Sequence, residues 1–186
     1  MNAARAVEVI FGVGWTAFWI YWLAAAVNSK TTVGRSPQYI VVRLGMVVVV
    51  IVLLRTNAFD ARTSLVSDPL LEAVGVVMFV LGLALAVWAR VYIGRNWGMP
   101  MSEKADPELV TSGPYRYVRH PIYSGIILAM FGTALALGVV WLIIAACFAV
   151  YFIFSATVEE RNMARLFPAT YPAYKRSTRM LIPFVL

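Results

Sequence analysis

Two short clusters carry the side chains able to do chemistry. Arg119-His120-Pro121 heads an uncharged block that continues to Val158, and Glu159-Glu160 stands at its foot. A cation, an imidazole and a helix-opening proline make an anion site, because the first helical turn presents unpaired N–H groups and the positive end of the helix dipole. Two adjacent carboxylates offer acceptors for ribose hydroxyls or an ammonium group. Together the clusters suit a zwitterionic, nucleoside-containing ligand better than a purely anionic one. Each also has a plainer use: His120 as a helix cap or carboxylate partner, Arg119 as a membrane-side anchor, Glu159-Glu160 as a solvated face.

Bringing the clusters together requires a particular fold. The block Pro121 to Val158 would be about 57 Å long as one helix, nearly twice a hydrocarbon core of roughly 30 Å. It must turn back on itself, with Gly132 and Gly138 bracketing the turn. The resulting hairpin sets the start of one span beside the end of the next, and so His120 beside Glu159. Immediately upstream, Gly113-Pro114-Tyr115-Arg116-Tyr117-Val118 supplies the constrained polar entry to the hairpin.

The remaining sequence agrees with a bilayer setting. Hydrophobic residues make up 61% and charged residues only 13%, with a mean hydropathy of +0.77, against roughly a quarter charged in soluble domains. Expected spans cover Val7–Val27, Tyr39–Leu54 and Leu70–Tyr92, followed by the hairpin, so the fold class is an all-α polytopic bundle of about five transmembrane helices with the pocket on the cytoplasmic face. Val7–Val27 is too long for a signal-peptide core and lacks a convincing cleavage site, so it is expected to be retained. Gly75 and Gly82 lie on nearly one face of the third span and permit close helix approach, while Arg90 near its end is expected to snorkel or face the polar loop. Pro168 and Pro172 interrupt the basic amphipathic tail, where Tyr171 and Tyr174 read as interfacial belt residues.

Charge distribution gives an orientation. Thirteen of the sixteen Lys and Arg residues fall in the connection after the first span, the long polar loop with its flanks, and the tail. The positive-inside rule makes that side cytoplasmic, with the N-terminus outside and the C-terminus inside. The net charge of +7 is spread among apolar spans and not gathered into an arm or patch, which argues against a nucleic-acid partner. The lone Cys147 rules out an internal disulfide and any cysteine-based metal cluster, and no metal is expected. A chain this short without targeting features suits a prokaryotic plasma membrane.

The ordered set Glu108-Leu109-Val110-Thr111-Ser112-Gly113-Pro114-Tyr115, Arg119-His120-Pro121-Ile122-Tyr123, Glu159-Glu160 and Phe167 through Tyr171 to Tyr174 resembles the isoprenylcysteine carboxyl methyltransferase family and its bacterial and phospholipid-methylating relatives. The likeness covers roughly the C-terminal half, from Trp97 onward. It implies one integral membrane methyltransferase domain over 1–186, with N-terminal spans in 1–94 and a cofactor-binding loop, hairpin and tail in 95–186. It implies S-adenosylmethionine as cofactor and a lipophilic acceptor, with an isoprenylcysteine-like carboxylate among the candidates. By matching positions, Glu108, Leu109, Val110 and Tyr115 would line the cofactor from the loop. Arg119, His120, Pro121 and Tyr123 would hold it at the start of the hairpin, and Glu159 would close the pocket, with Glu160 the lesser candidate. The eukaryotic enzymes carry an arginine where this chain has Ser155 and a loop glutamine where it has Met101, so the acceptor site departs from theirs. Membrane sterol reductases, which bind a nicotinamide cofactor, share an Arg-His-Pro-x-Tyr element and stay open as a second reading, as does a non-enzymatic small membrane protein.

Overall fold

The computed structural model describes residues 3–30, 32–35, 44, 45, 48, 52, 68–104 and 106–182. The expected second span, Tyr39–Leu54, lies almost wholly outside the described residues. What is described is a helical bundle: α1 (Ala3–Ala26), α2 (Pro69–Ile93), α3 (Pro121–Leu137), α4 (Val139–Leu166) and the short α5 (Tyr171–Ser177). Three stretches, Arg5–Ala26, Pro69–Asn96 and Val139–Leu166, are long and apolar enough to cross a membrane; α3 is a shorter apolar helix. A small antiparallel ribbon, β1 (Thr32–Arg35) with β2 (Ser102–Lys104), is an addition to the all-helical expectation.

Local sequence explains where α2 begins and ends. Asp68 caps it, its Oδ1 accepting from the Leu70 N–H at 2.8 Å, and Pro69 occupies the first turn. Gly94, at φ +54°, ends it and donates its N–H to the Arg90 carbonyl.

α2 and α3 run antiparallel with their backbones almost touching. A Cβ added at Gly82 would lie 2.5 Å from Ala129 N and from the Gly125 carbonyl oxygen, and one at Gly132 would lie 2.5 Å from the Gly75 carbonyl oxygen. The expectation for Gly75 and Gly82 holds. That for Gly132 does not: it sits inside α3 against Gly75, and the turn falls on Gly138 alone, at φ +113°. Glycine marks both turns and close helix contacts, and here the contact claims it.

α1 lies parallel to α2. Phe11 packs on Phe79 with ring centroids 4.6 Å apart, and Trp15 Nε1 donates to Thr133 Oγ1 of α3 at 3.2 Å. At the other end Arg90 is buried: its Nη1 donates to the Gly94 carbonyl at 2.7 Å and its Nη2 to the Ala25 carbonyl at 2.6 Å. Its guanidinium lies 4.6 Å from the Trp97 ring centroid and 5.9 Å from that of Trp22. It therefore clamps two helix ends to the loop instead of reaching for water.

The tail folds back over the start of α3. Arg119 N–H donates to the Arg179 carbonyl at 2.8 Å, His120 N–H to the Met180 carbonyl at 3.1 Å, and Ser124 Oγ to the Leu181 carbonyl at 2.5 Å. Pro172 lies in the first turn of α5 and opens that helix, while Pro168 falls in the break before it.

Candidate functional site

With one residue joining them, α3 and α4 pack as a tight hairpin, and the two reactive clusters meet. His120, the N-cap of α3, places Nδ1 3.4 Å from Glu159 Oε2. Glu159 Oε1 accepts from the Tyr123 hydroxyl at 2.5 Å and from the Met101 N–H at 3.0 Å. Met101 is buried at φ +59°, so the polar loop is drawn over the carboxylate through its backbone, whatever its side chain. The His120 ring stacks parallel to Tyr123 at 5.4 Å, and Tyr123 in turn stacks on Phe152 at 4.6 Å.

Glu160 has a separate task. It is 3% exposed, and its oxygens meet Arg119 Nε and Lys175 Nζ at 2.6 Å each, with His120 Nε2 at 3.7 Å. Arg119 Nη1 also donates to the Thr178 carbonyl at 2.6 Å. Arg119, expected to face a bound anion, thus already has its charge paired and ties the head of α3 to the tail. Burial opposes a charge on His120, but the carboxylates of Glu159 and Glu160 outweigh it and raise its pKa above the usual imidazole value.

A cavity of about 380 Å³ opens beside these groups, within the range of small-molecule sites. Of the nine residues expected to hold a cofactor, Glu108, Leu109, Val110, Tyr115, Arg119, His120, Tyr123 and Glu159 line it. Pro121 is not in the lining; it is fully buried at the helix start beneath. Glu108 sits exposed at the rim, paired with Lys30 Nζ at 2.7 Å, and hydrogen bonds from Lys30 and Asn96 hold its pKa below the usual carboxylate value. Ser155 is fully buried, donates to the Tyr151 carbonyl at 2.8 Å and does not line the cavity.

Tyr171 and Tyr174 correct their reading as belt residues. Tyr171 is buried, both line the cavity, and the Tyr174 hydroxyl donates to the Tyr115 carbonyl at 2.6 Å. Burial pushes the Tyr174 hydroxyl up to about 12. The fold-back of the tail brings them in, and an aromatic residue near a span end fits a belt and a site equally well. Sequence reasoning also missed Trp19, Trp22, Phe148 and Phe152 as wall residues. Asn162, one helical turn from Glu159 on α4, had a usable signal in that spacing.

The sequence model described as phospholipid methyltransferase matches residues 70–170. Among curated relatives, methanethiol S-methyltransferase 1 of Bradyrhizobium diazoefficiens is 38% identical over 82 residues, which is 44% of this chain and 28% of the relative. Protein-S-isoprenylcysteine O-methyltransferase of Xenopus laevis is 30% identical over 119 residues, 62% of this chain and 41% of the relative. The chain therefore spans less than half the length of these two relatives. A solved eukaryotic intramembrane Ras methyltransferase, isoprenylcysteine carboxyl methyltransferase, shares the fold at a TM-score of 0.53 and 24% identity, covering 82% of this chain and 55% of that one. With its apolar helices and this likeness, the chain is an integral membrane protein.

Proposed function

The chain belongs to the phospholipid methyltransferase family, and from that premise we propose that it transfers a methyl group from S-adenosylmethionine to a lipophilic acceptor. The observation that carries the reading is the meeting of His120, Tyr123 and Glu159 on the wall of one cavity at the mouth of the hairpin. The donor set fits such a cofactor. Carboxylates at Glu108 and Glu159 offer acceptors to an amine or ribose hydroxyls, His120 offers a cation to a carboxylate, and aromatic walls at Trp97, Tyr115 and Tyr174 offer faces to a base. When bound, the cofactor supplies an electrophilic methyl group on a cationic sulfur.

The residues of the chain bind and orient. Glu159, held by the Tyr123 hydroxyl and the Met101 N–H, stays fixed as an acceptor without having to reorganise. The loop around Met101, the tail tyrosines and the apolar inner wall exclude water, so that the reaction is driven mainly by positioning. The family's pattern supports Leu109 and Val110 as apolar loop contacts. The charge bias of the chain supports a cytoplasmic mouth with the N-terminus outside and a prokaryotic plasma membrane, with cofactor entering from the cytosol.

The test is binding to the purified protein in detergent. A calorimetric or thermal-shift response to S-adenosylhomocysteine and not to NADPH is expected, and the reverse selectivity would replace methyl transfer by the reductase reading. Incubation with labelled S-adenosylmethionine and a membrane lipid extract, followed by mass analysis, then identifies what gains a methyl group.

A further inference from the structure

The cavity continues past Glu159 into the bundle, and its inner arm differs in kind from its mouth. Along α4 its wall runs back from Glu159 to Phe152, Tyr151 and Phe148. At 1.5 Å per residue, Phe148 lies about 16 Å beyond Glu159 along the helix axis. Trp19 and Trp22 of α1 and Ile122 and Ile126 of α3 complete this arm. The charged wall residues Glu108, Arg119, His120 and Glu159 all belong to the mouth, and among the described residues the inner arm has none. Arg119 and Glu108 are moreover already paired, with Glu160 and Lys30.

That division constrains what the arm can hold. A carboxylate drawn inward would lose its water with no wall cation to replace it, and an alkylamine, an ammonium ion at neutral pH, would meet only aromatic faces in exchange for its hydration. An uncharged apolar nucleophile loses little and gains contact with aromatic and aliphatic walls. Resting on the methyltransferase reading, we propose that the inner arm is the acceptor subsite, that it takes an uncharged alkyl thiol and not a carboxylate, and that Phe148 sets the length of alkyl chain it holds. In the transfer, the thiol sulfur forms the new C–S bond with its lone pair. The donor C–S bond breaks with its electrons returning to the donor sulfur, and the S–H proton leaves to the carboxylate of Glu159 at the junction of arm and mouth.

Octane-1-thiol and octanoate, matched in chain length, test this on the full chain in nanodiscs with S-adenosylhomocysteine present. Quenching of tryptophan fluorescence reports on Trp19 and Trp22, and mass analysis of turnover with labelled S-adenosylmethionine reports on transfer. The thiol should bind saturably and gain a methyl group, with octanoate at least about tenfold weaker. Phe148→Ala should move the preferred thiol to a longer chain and Phe148→Trp to a shorter one, by about tenfold in affinity for each mismatched methylene. Octanoate binding as tightly as the thiol, or a chain-length preference that neither variant moves, would overturn the proposal. Methylated octanoate would sink the proposal while leaving the methyltransferase reading in place. Absence of any response to S-adenosylhomocysteine would sink both.

Discussion

Helix α3 has two faces that are built by opposite rules. Toward α2, Gly125, Ala129 and Gly132 meet Gly75 and Gly82 with backbone against backbone. Toward the cavity, Ile122, Tyr123 and Ile126 face aromatic residues of α1 and α4 across open space. Without a hydrophobic force between helices in lipid, close packing of small residues is what makes a seam firm. The other face can then be hollowed for a ligand without loosening the bundle. Substitutions on the seam should therefore cost stability, and those on the hollow should cost binding.

The sharpest way to break that contrast is to fill the seam. Gly82→Leu places a side chain where even a Cβ lies 2.5 Å from backbone atoms of α3, and it should cost about 3 kcal/mol or more, read as a lowered thermal midpoint in detergent. A midpoint unchanged from wild type would show that the seam is looser than described. Next comes Glu160→Ala, which leaves Arg119 with its buried charge unpaired and should cost about 3 kcal/mol. It probes the hinge between the two regions, because Tyr171 and Tyr174 reach the cavity only through the tail that Glu160 and Arg119 anchor. Glu159→Gln should sharpen the contrast from the other side, weakening S-adenosylhomocysteine by about tenfold or more with a thermal midpoint close to wild type. Loss of stability equal to that of Glu160→Ala would erase the distinction between the two neighbours.

The pH dependence of His120 is a smaller effect. Its folded pKa lies above the ordinary value of 6.5, so the stability it contributes is full below 6.5 and is lost as pH rises through the folded value. The stability gap between wild type and His120→Gln should accordingly narrow in alkaline buffer, as denaturation curves across pH can show. Smallest is Lys30→Ala: its partner Glu108 is an exposed rim residue, and the change should move stability by less than about 1 kcal/mol.

What could be read from the sequence follows the same divide. Long apolar runs and the uncharged block gave α1, α2 and the hairpin, because bilayer thickness leaves few alternatives. The seven-residue spacing of Gly75 and Gly82 announced the seam. Its counterpart in Gly125 and Gly132 went unread, since a glycine inside a motif or near a turn does not reveal which demand it meets. His120 and Glu159 were legible because hairpin geometry alone brings them together. Tyr171, Tyr174, Trp22 and Phe148 were not, because their place depends on how the tail and α1 close over the hairpin. Met101 could not have been found at all from residue type, as it acts through its N–H. Arg90 shows the same limit: a guanidinium near a span end suits water and an aromatic cage equally well until Trp22 and Trp97 are in place.

The single-residue elbow at Gly138 has a consequence for how this protein can change over evolutionary time. With only one residue between α3 and α4 there is no slack to absorb a shift in phase, so the far end of the hairpin dictates the azimuth of every group along α4. One residue inserted there would rotate Glu159 by about 100° about its axis and swing it off the wall that His120 and Tyr123 occupy. Length at that distant bend is thus as strictly constrained as the chemistry at the opposite pole.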